Sequence, residues 1–211
     1  MPSRLAYELL YRRRPAWDIG PRAELVELVE SGRLSPASLP PGRAVDLGCG
    51  TGASVIFLAE HGFDAVGIDF STMALKKAHE EAAKSPVGAR VRFVQGDLTA
   101  DGIPGAEGPF DLLVSYGTLE DFWPSKRGPM AATVKRLSRP GSVFLCWCFY
   151  AAREDLPWVR LNRPSKAFPL TLAPGEEERL FGDAFEIERY PVREPRPAPK
   201  AGAACFLMTR R

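Results

Sequence analysis

The chain has 211 residues, 45% hydrophobic and 26% charged, with 28 Lys and Arg against 26 Asp and Glu for a formal net charge of +2. That profile is a folded globular chain with a sizeable core; it excludes disorder, collagen and coiled coil, and so small a net charge gives no global field to recruit nucleic acid or an anionic bilayer. Any such partner needs a local patch.

Apolar periodicity punctuated by Gly and Pro predicts alternating helices and strands. Residues 3–14 read as a helix, with Leu5 and Leu9 at one spacing and Tyr7, Leu10 and Tyr11 at the next, ahead of Arg12, Arg13 and Arg14. A second helix runs from Pro21 to Ser31, and SPASLPPGR (35–43) links it to a strand at 44–47. Helix 53–61 and strand 65–69 follow; Ser71 caps a helix to about Lys84, and strand 91–95 leads through a Gly/Pro-rich loop (98–109) to strand 110–116. Helix 128–138, a Pro140-Gly141 turn and the apolar run VFLCWCFY (143–150) come next. Residues 151–172 lack periodicity and read as an insertion over a site; a helix with Glu176, Glu177 and Glu178 in its first turn, strand 185–190 and strand 203–209 complete the chain. Five β-α units ahead of two strands predict a mostly parallel sheet with an antiparallel strand near its end, in a single domain over 1–211.

MPSRLAYELLYRRR has neither the apolar centre nor the cleavage site of a signal peptide, and no apolar run reaches the ~18 residues that span a bilayer, so a cytoplasmic location is expected. Cys49, Cys146, Cys148 and Cys205 form no C-x-x-C pair and stand apart from His61 and His79, so no metal site or disulfide framework is expected. Cys146 and Cys148 share a strand face and read as small buried hydrophobes.

The strongest signal is Val45-Asp46-Leu47-Gly48-Cys49-Gly50-Thr51-Gly52, a strand ending in an acid and a glycine turn that opens directly into a helix. The spacing departs from the dinucleotide fingerprint, with Ala53 where a third glycine would fall. Asp46 beside the loop repels a pyrophosphate and favours an ammonium group, while the helix N-terminus receives a carboxylate. An amino acid moiety meets both demands.

This turn resembles that of the class I S-adenosylmethionine-dependent methyltransferases. The resemblance spans roughly 40–150 and implies an α/β, Rossmann-like, doubly wound fold: a seven-stranded mostly parallel sheet with an antiparallel last strand and helices on both faces. It implies S-adenosylmethionine as cofactor and S-adenosylhomocysteine as product, with Asp46, Gly48, Cys49, Gly50 and Gly52 at the methionine end and Asp69 on the ribose. Asp97 is then expected on the adenine amine, Phe70 and Leu98 as walls for the ring, and Ser115 under the methionine part. Substituting Asp69→Ala is expected to abolish cofactor binding and leave the fold intact. A narrower likeness, Tyr11 followed by Trp17-Asp18-Ile19-Gly20, is similar to thiopurine and thiol methyltransferases and implies that Tyr11 and Trp17 close over the cofactor; here Pro21-Arg22 follows where such relatives more often carry Arg-Pro.

On this reading residues 1–34 are an N-terminal helical lid, 40–150 the cofactor-binding core, 151–172 a substrate-side insertion and 173–211 a C-terminal helix and strand pair. Glu120 and Asp121 are candidate bases, and Tyr7, Tyr116, Phe122, Trp123 and Trp158 candidate substrate contacts, joined by Phe168 in a lid over a small aromatic or lipophilic molecule methylated at O, S or N. Monomer or homodimer is expected. A cofactor-binding protein without catalysis is the alternative, as is a nucleic-acid methyltransferase, against which Ser115-Tyr116-Gly117-Thr118 lacks the Asp/Asn-Pro-Pro-aromatic motif and the basic residues are dispersed. An NAD-dependent oxidoreductase would need a Tyr/Lys or His arrangement that the chain does not show.

Overall fold

The computed structural model describes residues 4–13, 15, 18–152, 171–193 and 202–211. Helices α1 (Arg4–Arg12) and α2 (Ala23–Glu30) precede β1 (Arg43–Leu47), α3 (Ala53–Glu60), β2 (Asp64–Asp69), α4 (Thr72–Ala82), β3 (Arg92–Gln95), β4 (Phe110–Tyr116), α5 (Pro124–Leu137) and β5 (Ser138–Phe149). A last helix, α6 (Glu176–Phe181), leads to β6 (Phe185–Tyr190) and β7 (Ala203–Arg210). The strands form a seven-stranded sheet in the order β3-β2-β1-β4-β5-β7-β6. β1 to β5 pair in parallel, and β7 lies antiparallel between β5 and β6.

Parallel strands covered on both faces must be apolar on both, and the side-chain alternation divides them accordingly. Val45, Leu47, Val66, Ile68 and Leu113 pack with Met130, Val134 and Leu137 of α5 and with Leu180 and Phe181 of α6. Ala44, Ala65, Leu112, Val114 and Leu145 face Leu25 and Leu28 of α2 and Val55 and Leu58 of α3. Helices therefore cover both faces, as the sequence predicts.

β3 connects to β4 through the loop expected at 98–109, its Ile103 and Ala106 filling the core, so β3 starts no β-α unit and the described residues hold four such units rather than five. Two boundaries differ from the sequence reading. α5 starts at Pro124 rather than 128, because Pro suits a helix's first position and the later Gly128 and Pro129 do not break it. β5 starts at Ser138 rather than 143: after Phe110 pairs with Ser138, the register shifts so that Leu112 meets Val143, and Pro140-Gly141 falls in that irregularity. The Ser71 cap is as expected, its hydroxyl accepting from the Ala74 N–H at 3.1 Å. All four cysteines are buried free thiols, with Cys146 and Cys148 in one face of β5. Among the described residues no helix is long and apolar enough to cross a membrane.

Candidate active site

β1 pairs with β2 on one side and β4 on the other, and the connections leaving the carboxyl ends of β1 and β4 lead to α3 and α5 on opposite faces, which opens a crevice there. The glycine turn occupies that crevice. Gly48, Gly50 and Gly52 sit at φ of 86°, 53° and 82°, the left-handed region that other residues enter only under strain. The Gly48 and Cys49 N–H groups both donate to the Ile68 carbonyl, at 2.8 and 3.0 Å. Asp69 completes the junction, one carboxylate oxygen accepting from the Gly50 N–H at 2.9 Å and the other from the Ser71 N–H at 2.8 Å. A β-carbon on Gly48 would sit 2.7 Å from Thr118 Cγ2, and one on Gly50 2.9 Å from the Tyr11 hydroxyl. Both glycines are thus fixed by what packs on them.

The turn floors a cavity of about 630 Å³. Asp46, buried at its edge, makes no hydrogen bond among the described residues, and burial, then the nearby Asp69 charge, pushes its carboxyl up to about 8. Burial also raises Asp69, against the pull of the N–H groups of Ser71, Gly50 and Phe70. Helix α1 forms the roof. Tyr7 stacks with Tyr11 at 6.4 Å between centroids, meets Phe70 edge-on at 5.3 Å, and donates its hydroxyl to Asp121. Glu8 accepts from the N–H groups of Thr72 and Met73 at 2.8 and 2.9 Å, satisfying donors that the first turn of α4 leaves open. Thr51 Oγ1 donates to Asp18 at 2.5 Å, tying the glycine turn to the segment after α1.

Of the residues singled out for a cofactor, Tyr11, Asp46, Gly48, Cys49 and Gly50 line the cavity, as do Asp69, Phe70, Asp97 and Leu98. Asp97 also accepts from the Thr99 N–H at 2.8 Å and so shapes its own turn. Gly52 does not line it; it starts α3, where a β-carbon would collide with Phe93 Cζ at 2.7 Å. Ser115 is not a lining residue either. It shares strand parity with Leu113, faces away from Tyr116, and keeps its hydroxyl buried without a partner.

Tyr7, Tyr116, Asp121 and Phe122 line the cavity, whereas Glu120 and Trp123 do not. Glu120 is fully buried, one oxygen accepting from the Phe149 N–H at 2.8 Å and the other unpartnered, and burial followed by the Asp121 charge pushes it up to about 8. Asp121 is raised to about 6 by burial, with the Tyr7 hydrogen bond opposing. Trp123 precedes α5 and stands out at the surface. Trp17, Trp158 and Phe168 lie outside the described residues. Sequence reasoning passed over Thr118, Trp147 and Phe149, all in the lining; Arg22, noted for its departure from the Arg-Pro of thiol methyltransferases, also lines the cavity, its guanidinium carbon 4.7 Å from the Trp147 ring centre. Strand parity was the available signal for Trp147, the register partner of Tyr116.

The seven-stranded sheet with its antiparallel β7 gives a Rossmann-like fold that this chain shares with solved methyltransferases. Residues 44–141 match the family described as a methyltransferase domain. It is 28% identical over 137 residues to 2-heptyl-1-hydroxyquinolin-4(1H)-one methyltransferase of Mycobacteroides abscessus, covering 64% of this chain and 56% of that protein. It is 32% identical over 134 residues to probable thiol methyltransferase 2 of Arabidopsis thaliana, covering 63% and 56%. The solved glycopeptide N-methyltransferase MtfA, complexed with S-adenosylmethionine, superposes with a TM-score of 0.66 at 20% identity, over 94% of this chain and 99% of that one. The chain spans little more than half the length of the curated relatives it matches.

Proposed function

We propose that this chain transfers a methyl group from S-adenosylmethionine to O, N or S of a small aromatic or lipophilic acceptor, leaving S-adenosylhomocysteine. The carrying observation is one cavity that runs in strand order from Asp97, Leu98, Asp69 and Phe70, past Asp46 and Gly50, to Tyr116, Phe122 and Trp147. Acids and a glycine floor fill one part of it and aromatic side chains the other, which suits a charged nucleoside beside an apolar guest.

The residues fit the cofactor. Asp46 is a buried carboxyl without a hydrogen bond among the described residues, ready for an ammonium group, and the N-terminus of α3 offers N–H groups to a carboxylate. Each Asp69 oxygen holds one backbone N–H and keeps lone pairs for ribose hydroxyls. Phe70 and Leu98 flank the adenine ring, Asp97 meets its amine, and Tyr7 and Tyr11 cover the site. When bound, S-adenosylmethionine supplies a methyl group activated on a sulfonium. The chain's task is to hold the acceptor about 3–3.5 Å away in line and to exclude water. Asp121 is the carboxylate placed to take a proton from an acceptor that arrives protonated, whereas Glu120 is walled off behind the Phe149 backbone. Residues 1–34 then act as a lid on a core at 40–150, with 173–211 completing the sheet of a single domain.

The relatives are named for a hydroxyquinolone and for thiols, which supports a small, planar or soft nucleophile. The test is incubation with S-adenosylmethionine and panels of thiols, phenols and quinols, reading both S-adenosylhomocysteine and methylated product. Turnover with one panel supports transfer; cofactor binding with no product from any acceptor favours a binding protein without catalysis.

A further inference from the structure

The inner face of α1 is committed to the cavity through Tyr7 and Tyr11 and to the start of α4 through Glu8, whereas its leucines stand exposed. Leu5 is 69% exposed, Leu9 50% and Leu10 40%. Among the described residues the other exposed large hydrophobics are Ile19 at 51% and Trp123 at 55%. Single exposed apolar residues are ordinary, but their confinement to one region of a molecule marks a contact surface. Here three of the five stand on α1, Ile19 lies in the segment after it and lines the cavity, and Trp123 lies two residues beyond Asp121, the acceptor of the Tyr7 hydroxyl.

Charge decides what kind of surface this is. Residues 4–14 contain four Arg and one Glu, and that Glu8 is turned inward onto the Thr72 and Met73 N–H groups. Arg12 and Arg13 are exposed at the end of the Leu5–Leu9 stripe. Among the described residues of this segment, the exposed leucines stand beside two exposed cations and no exposed acid. A helix of this kind lies in the boundary between headgroups and acyl chains, where its arginines meet anionic headgroups.

We propose that the outer face of α1, with Ile19 and Trp123, docks this protein on an anionic lipid bilayer. The inference is independent of the methyl acceptor. A lid seated on a bilayer places the mouth of the cavity within reach of molecules dissolved in lipid.

The test is co-sedimentation of the full chain with vesicles of phosphatidylcholine alone and with phosphatidylglycerol added. Binding to the anionic vesicles is expected, about tenfold weaker or less to the neutral ones, together with a blue shift of tryptophan emission that Trp123→Phe removes. The double variant Leu5→Ser/Leu9→Ser is expected to lose binding by about tenfold or more, and Arg12→Glu/Arg13→Glu to lose the preference for anionic lipid. Because these side chains are exposed, thermal unfolding and S-adenosylmethionine titration of the variants are expected to match the parent, which separates failure of docking from failure of the methyltransferase reading. Absent sedimentation, or sedimentation indifferent to the leucine substitutions, overturns the proposal. So does a dimer that the leucine variant dissolves while vesicles bind neither protein.

Discussion

Asp69→Ala tests how far the proposed cofactor site is also a structural joint. The sequence expectation leaves the fold intact, but the carboxylate bridges the Gly50 and Ser71 N–H groups from a buried position. Alanine strands two buried donors, about 1–3 kcal/mol each. Set against this, the substitution removes a desolvated charge and its repulsion of Asp46, so the net loss is roughly 2–4 kcal/mol. For a chain of this length that corresponds to a drop in Tm of roughly 5–10 °C. Calorimetric melting and urea unfolding of the ligand-free protein are the assays, with Asp69→Asn expected to fall between parent and Ala because it keeps one acceptor oxygen. A Tm for Asp69→Ala within about 2 °C of the parent would refute the reasoning, since the stranded N–H groups would then have cost nothing.

Gly48→Ala combines a positive φ with a collision against Thr118, and is expected to cost about 2–3 kcal/mol in urea unfolding, partly recovered by adding Thr118→Ala. Arg127 is buried, donates to the carbonyls of Glu120, Phe122 and Thr171 at 3.1 Å each, and pairs with Glu176 at 2.6 Å. Arg127→Met is therefore expected to lose about 3–5 kcal/mol, and full stability in that variant would contradict the bonding pattern. Asp46, Glu120 and Asp121 carry folded-state values of about 8, 8 and 6, above the usual carboxyl range. Groups raised on folding stabilise fully below their unfolded values near 4, and that contribution is lost as pH rises through the folded values. The ligand-free parent should thus lose Tm relative to Asp46→Asn between about pH 5 and 8; a difference that is constant or reversed would contradict the burial of Asp46.

What could be read from the sequence was carried by short-range patterns. The acid and glycines at 46–52, the acid closing β2 at Asp69 and the Ser71 cap each declare themselves within a few residues, because a tight turn or a helix start constrains its own neighbourhood. The parallel core was legible for the same reason, as short apolar runs between turn residues. Long-range partners were not. The Tyr7 hydroxyl meets Asp121 across 114 positions, Glu8 satisfies the start of α4 across 64 and 65, and no local pattern pairs them. Ser115 was assigned by its place in a motif, whereas its parity with Leu113 turns it into the α5 side of the core. Trp123 was grouped with the aromatic residues around it, although the Pro124 that follows starts a helix and turns it outward.

The most direct test of the central claim is calorimetric titration with S-adenosylmethionine at pH 7 in buffers of different ionisation enthalpy, with S-adenosylhomocysteine and NAD in parallel. On the proposed site, the Asp46 carboxyl, pushed up to about 8 by burial, holds its proton more in the free protein than beside a cofactor's ammonium group, so binding should release protons. The predicted result is one-to-one binding of the two sulfur nucleosides, silence from NAD, and a proton release that Asp46→Asn removes. Absence of binding by either nucleoside, or binding unaltered by Asp46→Asn and Asp69→Ala together, would contradict the account.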